Sequence, residues 1–234
     1  MLRALDVASS LAASLVRLGS GARVGDLGPR PERLLELFEF EGCPFCRKVR
    51  EALSILDLPA RIFPCPKGGP RYREEVVRRG GKAQFPYLVD PNTGVEMYES
   101  DDIVRYLFAR YGAGSVPALL ALGPLTDLSA GLASALRPVR GVRYRRARAP
   151  ERPLTLYSFE ASPYCRIVRE RLSSLEIPYE LRNVARGSPG RPAFAEVSGR
   201  MQVPFLVDPN TGAALLESAE IARYLDETYA RARD

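Results

Sequence analysis

Apolar and polar positions alternate from Leu34 to Phe40, the period of a half-buried strand, and Gly42-Cys43-Pro44 then breaks the run with a turn. From Pro44 to Leu56 the period changes. Phe45, Val49, Leu53 and Leu56 recur at spacings of three and four, which predicts a helix with those side chains on its buried face. Arg61–Phe63 reads as a second strand and Tyr72–Arg79 as a second helix. Tyr87–Asp90 and Val95–Tyr98 read as strands joined by Pro91-Asn92-Thr93-Gly94, where proline presets φ and glycine accepts a positive φ. A last helix starts at Ser100 and runs through Ile103, Val104 and Leu107. The order is β-α-β-α-β-β-α. A helical crossover makes the first two strands parallel, and a short turn makes the last two a hairpin.

The same pattern occurs twice. Residues 35–46, LELFEFEGCPFC, align with 154–165, LTLYSFEASPYC, and FPYLVDPNTG (85–94) aligns with VPFLVDPNTG (203–212). ESDDIVRYLFARYG (99–112) returns as ESAEIARYLDETYA (217–230). The preceding arm recurs as well: Asp6 to Leu15 resembles Asp127 to Leu136, and Arg17-x3-Gly21-x-Arg23 returns as Arg137-x3-Gly141-x-Arg143. The chain therefore divides into a helical arm (1–33), a unit with Cys-Pro-Phe-Cys (34–112), a second arm with an Arg-rich linker (113–152) and a unit with Ser-Pro-Tyr-Cys (153–234). The Ser/Arg-rich first 30 residues have the composition of a transit peptide. However, Arg17 interrupts their apolar stretch and a similar segment lies inside the chain, so a structural amphipathic helix is expected.

Composition and charge remove several classes. In 234 residues there is no histidine, which excludes Ser-His-Asp triads, Cys-His dyads and imidazole metal sites. No apolar run reaches the ~18–20 residues that cross a bilayer. Four cysteines are too few for a disulfide scaffold of this size and point to a reducing, cytoplasmic location. The net charge of +6 sits in one place, since Arg137 to Arg152 holds seven arginines against Glu151. That Pro/Arg-rich run reads as a solvated linker, with no folded basic face for nucleic acid.

The cysteines carry the chemistry. Cys43 opens the first helix ahead of Pro44, a residue favoured at a first helical position. Unpaired N–H groups and the positive dipole end of a helix lower a cysteine pKa from about 8.5 to ~3.5–7.5, which activates a thiolate without histidine. Arg47, Lys48 and Arg50 add positive charge nearby. Cys46 follows one turn later, in reach to resolve a mixed disulfide. A lone CxxC supplies too few ligands for a zinc site, so no metal is expected. Cys65 has Val184 at its repeat position and reads as a semi-buried bystander.

Cys-Pro-Phe-Cys at the first helix, Phe-Pro before the hairpin and Glu-Ser at the last helix together resemble the thioredoxin fold. More narrowly, they are similar to glutaredoxins and to the N-terminal domain of glutathione S-transferases. The resemblance implies an α/β protein of two tandem thioredoxin-like units, each behind a short helical arm. It implies Cys43 as nucleophile and Cys46 as resolving cysteine, with glutathione as co-substrate. Pro86 resembles the family's cis-proline, whose preceding residue, here Phe85, pairs its backbone with the cysteine part of glutathione. Glu99 and Ser100 resemble the pair holding the γ-glutamyl end, and Lys67 lies where a cation meets the glycine carboxylate.

The second unit departs from the pattern, with Ser162 in place of the first cysteine and Cys165 at the resolving position. Val203, Pro204, Glu217 and Ser218 remain, so it is a possible second glutathione site. Conventional transferases add a large helical domain that binds the electrophile, and a short arm stands here instead. The leading expectation is a glutathione-dependent thiol–disulfide oxidoreductase acting on disulfides or glutathionylated proteins or small molecules. The alternatives are a transferase-like enzyme acting on an electrophile and a non-catalytic glutathione- or protein-binding scaffold.

Overall fold

The computed structural model describes residues 2–112 and 115–231. The first half contains α1 (Leu2–Val16), β1 (Leu35–Glu39), α2 (Pro44–Ile55), β2 (Ala60–Pro64), α3 (Arg73–Gly80), β3 (Tyr87–Asp90), β4 (Val95–Met97) and α4 (Ser100–Tyr111). The second contains α5 (Ala118–Ala121), α6 (Pro124–Ala135), β5 (Leu154–Ser158), α7 (Pro163–Ser174), β6 (Tyr179–Asn183), α8 (Arg191–Ser198), β7 (Phe205–Asp208), β8 (Ala213–Leu216) and α9 (Ser218–Tyr229). Each unit has the β-α-β-α-β-β-α order of a thioredoxin-like fold. Phe45, expected inside, is 46% exposed, while Cys46 is fully buried. Both fit the spacing back from Val49, and the small thiol takes the closed position while the ring takes the solvent side.

The eight strands form one sheet, in the order β4-β3-β1-β2-β6-β5-β7-β8. Within a unit, β1 runs parallel to β2 and antiparallel to β3, as the crossover and hairpin require. The units join through β2 and β6, antiparallel, with Arg61 opposite Glu180 and Ile62 opposite Tyr179. Arg61 Nη2 lies 3.0 Å from Glu180 Oε1 across that seam. Alone, each unit would leave β2 or β6 as an unpaired edge open to aggregation, and each covers the other. One apolar cluster therefore runs through both halves, including Leu37, Val49, Leu53, Leu156, Val168 and Tyr179.

The arms are exchanged. Helix α1, which precedes the first unit, packs on α7 of the second, α6 packs on α2 of the first, and α1 and α6 pack together. Arg17 holds Glu51 through two hydrogen bonds of 2.9 and 2.7 Å and donates to the Thr126 carbonyl. Its counterpart Arg137 pairs with Glu170 and donates to the Asp6 carbonyl at 2.7 Å and to Ser9 Oγ at 2.6 Å. Thr126 thus occupies the place of Asp6, so the structural alignment of the arms runs one residue away from the Asp6–Asp127 match in the sequence.

The arms and the linker add detail that the linear pattern lacks. The arms are amphipathic with the large side chains outward: Ser10, Ala13, Ala130 and Ala133 are fully buried, while Leu15 and Leu125 are 65% and 63% exposed. The Arg137–Arg152 run is an irregular connector whose arginines other than Arg137 are exposed, and its backbone is tied down as an ordered strap. Arg137 is buried, the Lys67 N–H donates to the Val142 carbonyl at 2.7 Å, and Arg148 N–H donates to the Tyr229 carbonyl at 2.9 Å. Arginine suits this path because its planar fork can satisfy several carbonyls and carboxylates at once.

Each hairpin is anchored to its last helix by a buried aspartate. Asp90 accepts from the Asn92 N–H at 2.8 Å and from the Tyr106 and Tyr111 hydroxyls at 2.6 Å each. Asp208 repeats this with Asn210, Tyr224 and Tyr229. Burial works against the Asp90 carboxylate, but these donors outweigh it and hold its pKa below the usual value. A carboxylate depressed by folding contributes stability above its unfolded pKa of ~4 and loses it as pH falls further. Asp90→Asn is accordingly expected to cost about 2 kcal/mol in urea unfolding at pH 7, with a smaller difference near pH 3.

Candidate functional site

Strand β1 ends at Glu39, and the following turn is closed by the Cys43 N–H donating to the Phe40 carbonyl at 3.0 Å. Cys43 then caps α2 in extended conformation (φ −77°, ψ 123°), with Pro44 at the first helical position. Its sulfur accepts from the Cys46 N–H at 3.2 Å. Burial disfavours the Cys43 thiolate, but the Cys46 S–H and N–H donating to it outweigh burial and hold the pKa below the ordinary thiol value. Burial, then the hydrogen bond to Cys43, pushes the Cys46 thiol well above that value. Of the four cysteines Cys43 alone keeps any exposed surface, 4%, against 0% for Cys46, Cys65 and Cys165. Cys65 is therefore closed off, not semi-buried, and its thiol is pushed up chiefly by burial.

The cations expected beside the thiolate are committed elsewhere. Lys48 Nζ meets Asp101 at 2.5 Å and Asp127 at 2.6 Å. Arg50 pairs with Glu39, lies 3.3 Å from Glu41 and reaches Glu160 of the other unit at 3.1 Å. Arg169, its repeat counterpart, reaches Glu160 at 2.7 Å and Glu41 at 3.0 Å. Glu160 thus faces Arg47, Arg50, Arg166 and Arg169. Burial opposes its charge, yet those guanidiniums, Arg169 foremost, hold it down at about 2. The helix terminus and the donors on Cys46 are left as the main local support for the Cys43 thiolate.

The loop ahead of β3 approaches this turn. The Phe40 and Phe85 rings meet edge-on with centroids 6.2 Å apart, and the Phe85–Pro86 peptide bond is cis. Glu99 caps α4 with a positive φ of 64°, rare for a residue with a side chain, and Gln84 Nε2 donates to its carboxylate at 2.6 Å. Ser100 is the buried first residue of α4, not its N-cap, so its hydroxyl is not serving the helix as a capping side chain. Lys67 is exposed, with its backbone tied to the strap at Val142 and Tyr144. Gly42 is required there, because a Cβ would run into Val142 and the Arg140 carbonyl.

Arg73 escaped the sequence reading. Its guanidinium stacks on Phe85 at 4.6 Å from the ring centroid and donates to the Cys65 carbonyl at 2.9 Å. Arg191 makes the corresponding bond to the Val184 carbonyl, also at 2.9 Å. An arginine repeated at the start of α3 and α8 was the available signal.

The second unit repeats the frame around a different opening. Ser162 Oγ accepts from the Cys165 N–H at 3.3 Å, the Val203–Pro204 bond is cis, and Glu217 has φ 68° and accepts from Gln202. Gln202, Val203, Pro204, Glu217 and Ser218 line an open cavity of about 950 Å³ bordered by Val7, Ala8 and Leu11 of α1 and by Tyr164. A second cavity of about 630 Å³, sharing Val7 and Ser218, continues between α7 and α9 past Ile167 and Ala219. The positions matching Val7, Ile167 and Ala219 in the first unit are Asp127, Lys48 and Asp101, where ion pairs bridge the counterpart helices α6, α2 and α4. Among the described residues no group of three or more His, Cys, Asp or Glu is arranged to hold a metal, and no helix is long and apolar enough to cross a membrane.

Two thioredoxin-like units, each with a capped Cys or Ser before a cis-proline loop and a Glu-Ser helix start, define a glutathione-transferase-type fold. The family model for the glutathione S-transferase N-terminal domain matches residues 37–117 and 156–233, and the chain belongs to that family, with two copies of the domain. A solved structure of a trimeric glutathione transferase from Leishmania aligns with 86% of this chain and 68% of its own, at 16% identity and a TM-score of 0.29. Comparison with curated protein sequences gives no match.

Proposed function

We propose that the protein is a glutathione-dependent thiol–disulfide oxidoreductase whose nucleophile is Cys43. The observation carrying this reading is the Cys43 sulfur at the start of α2, receiving the Cys46 N–H at 3.2 Å and retaining the only solvent contact among the cysteines. In the reaction proposed, the Cys43 thiolate attacks the glutathionyl sulfur of a mixed disulfide and expels the substrate thiolate, which takes up a proton. Glutathione thiolate then attacks the Cys43-bound glutathionyl sulfur, giving oxidised glutathione and regenerating Cys43. Alternatively Cys46 displaces glutathione and closes a Cys43–Cys46 disulfide, which two further glutathione molecules reduce. The Phe85 backbone, Glu99, Ser100 and a cation, Lys67 or Arg73, are the proposed contacts for glutathione.

Alkylation of Cys43 against pH tests this, alongside reduction of a mixed glutathione disulfide. The expected midpoint lies below the ordinary thiol value of about 8.5, and in Cys46→Ala it rises towards that value as one donor is lost. An ordinary midpoint with no turnover in the wild type would falsify the reading and leave a binding scaffold.

A second reading rests on the open cavity of the second unit. There α1 supplies an apolar wall opposite Pro204, Glu217 and Ser218, the element a conjugating transferase needs for its electrophile. Ser162 would then hydrogen-bond the thiolate of bound glutathione. Conjugating activity that survives Cys43→Ser and is lost in Ser162→Ala would select this reading.

A further inference from the structure

The cavity of about 630 Å³ between α7 and α9 takes no part in either reaction proposed above, and its volume is that of a small-molecule site. Its floor is aliphatic, made by Val7 of α1, Ile167 of α7 and Ala219 and Ala222 of α9. At the positions of Val7, Ile167 and Ala219 the first unit carries Asp127, Lys48 and Asp101, and Lys48 Nζ meets the two carboxylates at 2.6 and 2.5 Å. The second unit has exchanged all three charges together. Losing one partner alone would strand a charge, whereas the joint exchange leaves an apolar floor with none.

The rim differs in the opposite sense. Arg140 of the strap and Arg171 of α7 line the mouth, where the repeat places Ser20 and Ala52 in the first unit. Asp6 lies 2.7 Å from Arg137 and 3.1 Å from Arg140, and Glu170 lies 2.5 Å from Arg137. Asp226 lies 2.9 Å from Arg145 and 3.2 Å from Arg171. Four guanidiniums therefore share three carboxylates, and one positive charge is left over. Arg223, also at the mouth, has Glu220 as its own partner. Burial lowers the Arg171 pKa from its ordinary value; Asp226 supports its charge, while Arg145 and Arg140 repel it.

We propose that this cavity binds a medium-chain aliphatic carboxylate, one per chain, with the carboxylate at Arg140 and Arg171 and the hydrocarbon body along Val7, Ile167 and Ala219. The single surplus charge matches a monoanion, whereas a polyanion would also meet Asp6, Glu170 and Asp226 on the same rim. No aromatic side chain lines the cavity to stack on a flat ligand, so the floor suits a flexible aliphatic body. An apolar interior with a few convergent polar groups at one end is the general form of a site that orients an amphipathic small molecule.

Calorimetric titration of decanoate into the full chain tests the proposal, with 1-decanol and decyltrimethylammonium as neutral and cationic molecules of the same body. Decanoate is expected to bind once per chain and about tenfold or more tighter than either. The variant Val7→Asp/Ile167→Lys/Ala219→Asp gives the floor the first unit's charges and is expected to weaken decanoate by at least about tenfold, with unchanged circular dichroism. Arg171→Gln, at the half-buried rim, keeps the test available if that variant does not fold, and is expected to weaken decanoate while leaving decanol unchanged. No decanoate binding at millimolar concentration, decanol binding as tightly as decanoate, or decanoate affinity unchanged in a folded floor variant or in Arg171→Gln overturns the proposal. Complete displacement of decanoate by millimolar glutathione also overturns it, by assigning the cavity to the glutathione site. None of these readouts involves Cys43, so they stand or fall apart from the thiol chemistry.

Discussion

Cys43→Ser is expected to reduce turnover of a mixed glutathione disulfide by about 10³-fold or more, with stability nearly unchanged. The second unit indicates why the fold should tolerate the change. Ser162 caps α7 with the same geometry as Cys43 caps α2, accepting the Cys165 N–H at 3.3 Å where the sulfur accepts at 3.2 Å. A hydroxyl therefore satisfies the helix start, while its far higher pKa removes the nucleophile. Cys165→Ser, at a fully buried position in the other unit, serves as the control and should leave the rate unaltered. A Cys43→Ser variant that reduces the mixed disulfide as fast as the wild type would remove this thiol from the proposed reaction.

Glu160→Gln is expected to be the most damaging single change to the fold, at about 3–5 kcal/mol. The carboxylate sits between Arg50 at 3.1 Å and Arg169 at 2.7 Å, with Arg47 at 3.6 Å and Arg166 at 4.0 Å. Neutralising it leaves four buried guanidiniums facing Glu39 and Glu41, with Glu51 near Arg47. Domain stability is commonly only ~5–15 kcal/mol, so a loss of this size would show as a large fall in the urea midpoint. The pH dependence has a definite sign. A carboxylate held down at about 2 contributes its full stability above an unfolded pKa of ~4.3 and loses it as pH falls towards 2. Wild type should lose part of its margin over Glu160→Gln in that window, and an unchanged margin there would argue against a charged Glu160. Because the carboxylate bridges the two units, the variant should also separate them, visible as two unfolding transitions in place of one.

Much of the fold was legible along the chain because its determinants are local. The Pro-Asn-Thr-Gly turns, the proline after Cys43 and Ser162, and the change from a two-residue to a three-to-four-residue apolar period each act within one element. Duplication then made every element visible twice. The positions of Cys43, Pro86 and Ser100 at the ends of elements were legible for the same reason. Arg73 was not, since its place on Phe85 depends on how α3 lies against the loop before β3. The partners of the cations near Cys43 are not legible in the sequence, because proximity along the chain does not reveal a carboxylate arriving from more than a hundred residues away, as Glu160 does at Arg50.

Backbone periodicity, capping and turn chemistry, all properties of a few neighbouring residues, were enough to set two thioredoxin-like units and a thiol at a helix start. The joining of β2 to β6, the exchange of α1 and α6 and the shared arginine–glutamate network were decided only in three dimensions. Each is a contact between distant segments in which one unit's unpaired edge or uncompensated charge is met by the other. A linear pattern can show that an edge or a charge needs a partner, and the packed chain determines which residue supplies it.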